Sequence, residues 1–239
     1  MSATIDLAVS TVIFALRPDP ADPGGPHVLS IPLVRRTRDP FARRWALPGG
    51  AADPDESLAD TAARKLRETT RLQPAYLEQL YAFGDPERSP TGRVVSVVYW
   101  ALVRPDLADQ AAEGENVRWF VADDLPELAF DHNRIVGYAL WRMRNKVEYS
   151  RIAQAFLGET FTLSELRRVH EVVLQRSLDP ANFRRQMEAS PAIVATDAVV
   201  TGGRHRPPRL YRYDTAVQLA DNGPLSRTTP DPAPAGENG

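Results

Sequence analysis

The sequence predicts a two-part α/β chain: a mixed α/β/α sandwich over roughly the first 130 residues, then a winged helix-turn-helix. Three observations carry this prediction. Runs of β-branched and aromatic residues, Ala8 to Leu16, His27 to Val34 and Val94 to Val103, surround a single segment of helical period from Ser57 to Thr70. Two later helices are marked by a capping-box pattern at Thr162-Leu163-Ser164-Glu165 and by an Asp179-Pro180 start, with only Gln175 to Leu178 between them. Behind them, Ile193 to Val200 and Arg209 to Tyr213 read as two strands joined by a glycine-containing basic turn.

Ala8 to Leu16 (AVSTVIFAL) is dense in apolar and β-branched residues and reads as a buried strand. The prolines and glycines from Pro18 to Pro26 read as a loop, and His27 to Val34 as the next strand. Arg35 to Arg44 reads as a polar loop, followed by Trp45-Ala46-Leu47 and a Pro48-Gly49-Gly50 turn that leads into the helix at about Ser57 to Thr70. Leu77 to Phe83 and Val94 to Val103 are strands separated by a long turn, Gly84 to Arg93, and Val117 to Val121 is a further strand. In Asn133 to Tyr149 the residues Ile135, Val136, Ala139, Leu140, Met143 and Val147 recur at helical spacing, so this stripe should pack on the sheet. The first helix of the second unit runs to Leu174 with Leu163, Leu166, Val169, Val173 and Leu174 inward; the second runs from Pro180 to about Ala189 with Phe183 and Met187 inward. The chain thus divides into residues 1–149, which include a linker helix at 133–149, residues 150–214, and a tail at 215–239. That tail is rich in proline, alanine and small polar residues without periodicity and is expected to be disordered.

A hydrophobic fraction of 43% with 25% charged residues is that of an ordinary globular protein. The absence of cysteine excludes disulfides, thiolate nucleophiles and cysteine-ligated zinc, and no apolar run approaches a membrane span. The N-terminal MSATIDLAVS has no basic segment followed by an apolar core, so a cytoplasmic setting without membrane partners is expected. Net charge is −2, and lysine occurs only at Lys65 and Lys146, leaving arginine for the other cations. Both lysines are possible acylation sites.

Gly50 to Leu72 (GAADPDESLADTAARKLRETTRL) resembles a Nudix box, G-x5-E-x7-R-E-U-x-E-E-x-G-U, with U aliphatic. Gly50, Glu56, Arg64, Leu66, Glu68 and Leu72 match, whereas Lys65 and Thr69 stand where the pattern has glutamates and Arg71 where it has glycine. In the hydrolases it resembles, this segment presents carboxylates that hold divalent cations against a diphosphate. Residues 65, 68 and 69 share one helix face, and here that face offers Lys65, Glu68 and Thr69. An ammonium repels a divalent ion and can neutralise Glu68 instead, so no catalytic residue, metal ligand or cofactor is assigned. The face suits a phosphate or a sugar.

From Arg176 to Arg212 the cations Arg176, Arg184, Arg185, Arg204, Arg206, Arg209 and Arg212 stand against Asp179, Glu188 and Asp197 alone, a local charge of +4. In a winged helix the second helix enters the major groove, which makes Asn182, Arg184, Arg185 and Gln186 candidates for bases or phosphates, with wing residues Arg204, His205, Arg206 and Arg209 reaching backbone or minor groove and Thr162 at the start of the preceding helix. A winged helix used for protein contact is the bland alternative.

Both halves together, from about residue 8 to 214, resemble the Nudix-related transcriptional regulators of NAD metabolism (the NrtR family), in which a Nudix-like α/β/α sandwich precedes a winged helix-turn-helix. Besides the box, the resemblance rests on Gly84-Asp85-Pro86-Glu87-Arg88 with Gly92-Arg93-Val94-Val95-Ser96, on Ala129-Phe130-Asp131-His132, on Phe161 to Leu166, on Asn182-Phe183-Arg184-Arg185 and on Gly202 to Tyr213. It implies a homodimeric repressor of NAD biosynthesis or salvage genes that binds a palindromic operator in double-stranded DNA and senses an NAD-derived metabolite such as ADP-ribose. Under this reading the ligand is held by Trp45, which can stack on a base or ribose, by Gly49 and Gly50, and by Arg64, Arg88 or Arg93 on phosphate. Trp45 could equally be core filler, and Arg64 could simply hold Glu68. His132 and Arg134 are candidates for passing ligand state to the winged helix. Two alternatives stand beside the repressor: an active Nudix hydrolase of ADP-ribose or a related nucleoside diphosphate derivative, and a Nudix-like regulator answering to a sugar.

Overall fold

A computed structural model of the chain describes residues 4–72, 74, 76–109, 114–148, 151–199 and 208–214. Strand β1 (Asp6–Asp19) is the spine of a seven-stranded mixed sheet. It pairs antiparallel with β2 (Asp22–Arg35) on one side and parallel with β6 (Val94–Val103) on the other. The path β3-β2-β1-β6-β5 is completed by β3 (Trp45–Ala46) and by β5 (Tyr76–Phe83), while β4 (Gly49–Ala51) pairs with β1 and β7 (Val117–Val121) with β2. Strand alternation distributes the core. Val9, Ile13 and Ala15 face helix α1 (Leu58–Thr70), and Val12, Phe14 and Leu16 face the opposite layer, where helix α3 (His132–Val147) packs. This is the α/β/α sandwich expected, with a short helix α2 (Pro105–Ala108) as an addition.

Two local readings are corrected. The proline- and glycine-rich stretch 18–26 is a continuation of β1 and β2 around a tight turn at Pro20-Ala21, because the ribbon tip extends where missing N–H groups face solvent. A register shift falls at Pro18/Asp19, and Asp19 Oδ1 accepts from the Ala21 N–H at 2.9 Å. Residues 49–51 are likewise strand β4, laid so close to β1 that a Cβ on Gly49 would stand 2.3 Å from the Val9 carbonyl oxygen. Only glycine passes there.

The apolar stripe of α3 is buried as its spacing predicts: Ile135, Val136, Ala139, Leu140, Met143 and Val147 all join the main core. Lys146 is buried on the same helix, 4% exposed, donating to Tyr76 Oη at 2.7 Å and to the Glu78 carboxylate. That burial withdraws it from the surface on which acylation would act. A 3-10 helix (Ile152–Phe156) then leads to α4 (Leu163–Leu174) and α5 (Pro180–Ala189), followed by strands β8 (Ile193–Val199) and β9 (Arg209–Tyr213), which pair antiparallel. Both helix starts are capped as read: Thr162 and Glu165 form a reciprocal capping box, and the Asp179 side chain accepts from the Asn182 N–H with Pro180 next. The turn at Thr201 to Pro207, with Arg204, His205 and Arg206, and the tail 215–239 lie outside the described residues.

The two halves share a core, and polar contacts join them. Arg144 on α3 donates to both Asp123 oxygens at 2.7 and 2.9 Å and through Nε to the Val173 carbonyl of α4 at 3.0 Å. Gln175, the left-handed C-cap of α4, also reaches Asp123, and Arg176 meets Glu148 at 2.6 Å. Helix α3 therefore connects the sheet directly to the first helix of the winged unit.

Candidate functional site

The segment resembling a Nudix box folds as loop, helix and loop, and its ion pairs show what the three departures do. Ser57 caps α1 by accepting from the Asp60 N–H. Arg71, in the glycine slot, ends the helix in a left-handed conformation at φ 59°, so the backbone geometry persists without the residue best suited to it. Arg64 donates to Glu56 through Nε at 2.9 Å and Nη2 at 2.8 Å and to Glu68 through Nη1 at 2.9 Å, and Lys65 Nζ closes on the other Glu68 oxygen at 2.9 Å. Hydrogen bonds from Arg64 hold the Glu56 carboxyl below its ordinary range, and those from Lys65 and then Arg64 do the same for Glu68. Both retained glutamates are thus ionised and already neutralised from within the chain. A divalent cation here would meet Lys65 against Gly50, where a glycine Cβ would stand 3.4 Å from Lys65 Cε. These residues do not fit a metal centre, and among the described residues no group of three or more His, Asp or Glu side chains is arranged to hold one.

Beside the box lies a cavity of about 570 Å³, in the range of small-molecule sites. Its floor is Ser10 and Ser96, whose hydroxyls are 3.1 Å apart, with Gly49 and Gly50 along one side. Its polar wall is cationic: Arg35, Arg36, Arg38 and Arg88 line it, and none of the described lining residues is a carboxylate. Arg36 is fixed by donation from Nε to the Pro40 carbonyl at 2.8 Å and lies 4.6 Å over the Phe130 ring. Burial lowers its pKa, with Asp39 opposing. Arg88, its side chain 5% exposed, donates through Nε and Nη2 to the two oxygens of Asp131 at 3.1 and 2.7 Å. Asp131 is the N-cap residue of α3, but its carboxylate makes no cap bond. It serves Arg88. His132 Nδ1 accepts from the Leu47 N–H at 2.9 Å, and burial pushes its pKa down to about 4, so the ring stays neutral in that role.

Of the ligand residues read from the sequence, the cavity gathers Gly49, Gly50 and Arg88. It does not gather Trp45, whose half-buried ring packs edge-on against Phe120 at 5.1 Å, nor Arg64, which is held by Glu56 and Glu68, nor Arg93, which donates to the Gly84 carbonyl. Sequence reasoning missed Arg35, Arg36, Arg38, Phe130 and the Ser10–Ser96 floor. The available signal was the Arg35-Arg36-Thr37-Arg38 run at the end of a strand, read only as a polar loop. A larger groove of about 1100 Å³ between the β1–β2 ribbon and α4 carries both signs, Asp123, Glu165 and Glu171 beside Arg167, Arg168 and Arg176, and so has no preference for an anion.

On the winged unit, Phe183 packs inward and Asn182, Arg184, Arg185 and Gln186 are exposed on α5. Arg184 donates to Glu188 at 3.0 Å and Arg185 to Asn182 at 2.7 Å, contacts between exposed side chains that a stronger anion can displace. Glu188 is also held by Tyr211 Oη at 2.9 Å, which fixes α5 to β9, and Arg209 is exposed beside them. Thr162 is buried, its hydroxyl engaged with Glu165.

Sandwich, arginine-lined cavity and winged helix together define a Nudix-type small-molecule domain fused to a DNA-binding-type module. The NUDIX domain family matches residues 13–138, and the NrtR DNA-binding winged helix domain matches residues 153–213. The chain is 34% identical over 215 residues, 88% of its length and 81% of the relative's, to the ADPR responsive transcriptional repressor NtrR of Acinetobacter baylyi. Shewanella oneidensis NrtR superposes with a TM-score of 0.74 at 36% identity over 87% of this chain and 94% of that one. The same Shewanella protein complexed with a 27mer DNA gives 0.72 at 35% identity, over 87% and 93%. The chain belongs to the NrtR family.

Proposed function

We propose that this protein is a transcriptional repressor that binds double-stranded DNA through its winged helix and is controlled by ADP-ribose or a related NAD-derived nucleotide in its Nudix-type cavity. The observation that carries the reading is the cavity wall of Arg35, Arg36, Arg38 and Arg88, the last held from behind by Asp131, with no carboxylate among the described lining residues, a cationic lining that suits a diphosphate. It stands beside a box whose glutamates are already paired with Arg64 and Lys65, so the ligand is bound without being activated for hydrolysis. The proposed ligand contacts are Gly49, Gly50, Arg36 and Arg88, with Phe130 as the ring nearest the arginines; the proposed DNA contacts are Asn182, Arg184, Arg185, Gln186 and Arg209 together with Arg204, His205 and Arg206 of the wing. The targets under this reading are NAD biosynthesis or salvage genes, each with a palindromic operator for a homodimer, in the cytoplasm.

Helix α3 supplies the route between the sites, since its first residues touch the cavity through Arg88–Asp131 and His132 and its end touches α4 through Arg144. A ligand shifts the DNA equilibrium only as far as it binds the two arrangements of this helix differently.

The test is a gel shift on the promoters of NAD biosynthesis genes at fixed salt, with and without ADP-ribose and NAD. Retardation reversed by one of them is expected; no specific retardation at any salt would overturn the reading. The second reading, an active hydrolase of ADP-ribose, draws on the retained Glu56, Arg64 and Glu68; incubation with magnesium followed by a phosphatase, which frees phosphate from the AMP and ribose 5-phosphate formed, decides it. A sugar ligand is separated by thermal shift against a panel that includes pentoses, since a ligand at a hundred times its dissociation constant adds about 2.7 kcal/mol.

A further inference from the structure

Among the described residues five that are not glycine hold a left-handed backbone, and one of these, Gln175 at φ 52°, lies in the winged unit. It ends α4, at a position that glycine takes without strain and a residue with a side chain does not. The cap itself gives glutamine no advantage, because its bond runs from the Gln175 backbone N–H to the Glu171 carbonyl and glycine would make it equally. The side chain instead reaches out of its own unit: Nε2 donates to Asp123 Oδ2 at 2.5 Å, just past the end of β7 in the sandwich. A strained residue whose side chain makes a long-range contact points to a role for that contact.

Asp123 is shared. Arg144 of α3 donates to both its oxygens at 2.7 and 2.9 Å, and the same guanidinium donates through Nε to the Val173 carbonyl at 3.0 Å, one of the last carbonyls of α4 that the helix itself leaves open. Beyond Gln175 the turn into α5 is closed: the Leu178 N–H donates to Glu171 Oε1 at 2.9 Å, the Leu178 carbonyl accepts from Arg167 at 3.2 Å, and Arg167 pairs with Glu171 at 2.8 Å. The Phe183 ring of α5 stands edge-on to His170 of α4 at 5.2 Å. Helix α4, its turn and α5 therefore move as one body, and whatever grips Gln175 grips the recognition helix. Arg176 and Glu148 add a second tie at 2.6 Å, but both side chains are more than half exposed, where an ion pair counts for little.

We propose that Gln175 is a positioning residue for ligand control: with Asp123 and Arg144 it forms a clasp that sets the angle of the recognition helix to the sandwich. The apolar core holds the two halves together without regard to direction, whereas hydrogen bonds weaken steeply off their axis and so select one orientation. Asp123, Arg144 and Gln175 line no part of the arginine-walled cavity, so the clasp transmits ligand state and does not touch the ligand. That transmission rests on the repressor reading; the clasp itself does not.

The chain has no cysteine, so spin labels attach only where a cysteine is introduced. Double electron-electron resonance between labels at Arg67→Cys on α1 and Ala189→Cys on α5, both exposed positions, reads the angle without DNA or ligand when labelled chain is diluted in unlabelled chain. The wild type should give one narrow distance. Gln175→Gly should broaden or shift it with helix content by circular dichroism unchanged, and Gln175→Arg, which returns a donor to Asp123, should restore it. In Gln175→Gly the cap of α4 and both Arg144 bonds to Asp123 remain, so a glutamine that only ends a helix predicts no change. Fluorescence anisotropy on operator DNA then reads control: the factor by which ADP-ribose changes operator affinity, about 5–150-fold in coupled proteins, should fall to within about twofold of none in Gln175→Gly and return in Gln175→Arg. A wild-type distribution already broad, a Gln175→Gly distribution identical to a narrow wild type, or an ADP-ribose factor unchanged by Gln175→Gly would overturn the proposal. Distances that behave as expected while wild-type operator binding ignores ADP-ribose would leave the clasp standing and remove the repressor reading.

Discussion

Arg88→Met tests the join between cavity and helix α3. The Arg88 side chain is 5% exposed and the Asp131 carboxylate it holds is 15% exposed, with two hydrogen bonds of 3.1 and 2.7 Å between them. Removing the guanidinium from a pair this enclosed strands the carboxylate, which costs about 3 kcal/mol. For a chain of this length each kcal/mol moves the melting temperature by about 2–4 °C, so a fall of about 6–12 °C is expected. The same substitution removes a cation from the cavity wall, and losing one charge-assisted hydrogen bond of about 1.5–3 kcal/mol weakens ADP-ribose about 10–150-fold. Arg88→Lys should fall between, since it keeps the charge and loses the planar fork. Differential scanning calorimetry and isothermal titration with ADP-ribose give both numbers. A melting point within about 2 °C of wild type, with unchanged affinity, would refute the claim that this pair fixes the start of α3 beside the ligand.

The remaining predictions address separate links. The folded chain keeps His132 neutral down to about pH 4 while an unfolded histidine titrates near 6.5, so the unfolded state takes up the proton first; stability is undiminished above about pH 6.5 and falls as pH drops towards 4, by at most about 3 kcal/mol. His132→Gln, which still offers an acceptor to the Leu47 N–H, should flatten that limb in urea unfolding across pH, and a slope identical to wild type would count against it. Restoring the box as Lys65→Glu, Thr69→Glu and Arg71→Gly should bring magnesium-dependent hydrolysis of ADP-ribose to at least about tenfold above wild type, read as phosphate release after phosphatase; equal rates would mean the departures are not what silences the site. Arg185→Ala should cost about 1–3 kcal/mol of operator affinity if it reads a base edge, whereas a phosphate contact would instead reduce the salt slope by about one. Unchanged affinity and slope would remove Arg185 from the interface.

How much was legible follows from how local each signal is. Helices α1, α4 and α5 were readable because cap chemistry and apolar period sit within a few residues: Ser57, Thr162 with Glu165, and Asp179 with Pro180 all act as caps. The neutralisation of Glu68 by Lys65 was legible for the same reason, both being on one helix turn. Strands β3 and β4 were not, since two- and three-residue strands exist only through their partners β2 and β1. The cavity was only half legible. Its arginines come from residues 35–38 and 88, its ring from Phe130 and its floor from Ser10 and Ser96, segments brought together by tertiary packing alone. Trp45 illustrates the converse: a residue chosen for stacking chemistry is used by the core, where Phe120 meets it.

Helix α3 has 16 residues, and at about 1.5 Å per residue it spans about 24 Å between the cavity and the winged unit. A rod of that length works as a lever. A tilt of only about 10° at its Asp131 end carries its far end through about 4 Å, while a bidentate contact to a base edge tolerates displacements of no more than about half an ångström. If the proposed ligand sets that angle where Arg88 holds Asp131, it would not need to remodel the DNA-binding surface to control it: length alone would turn a small tilt into a shift of about 4 Å where Arg144 meets α4.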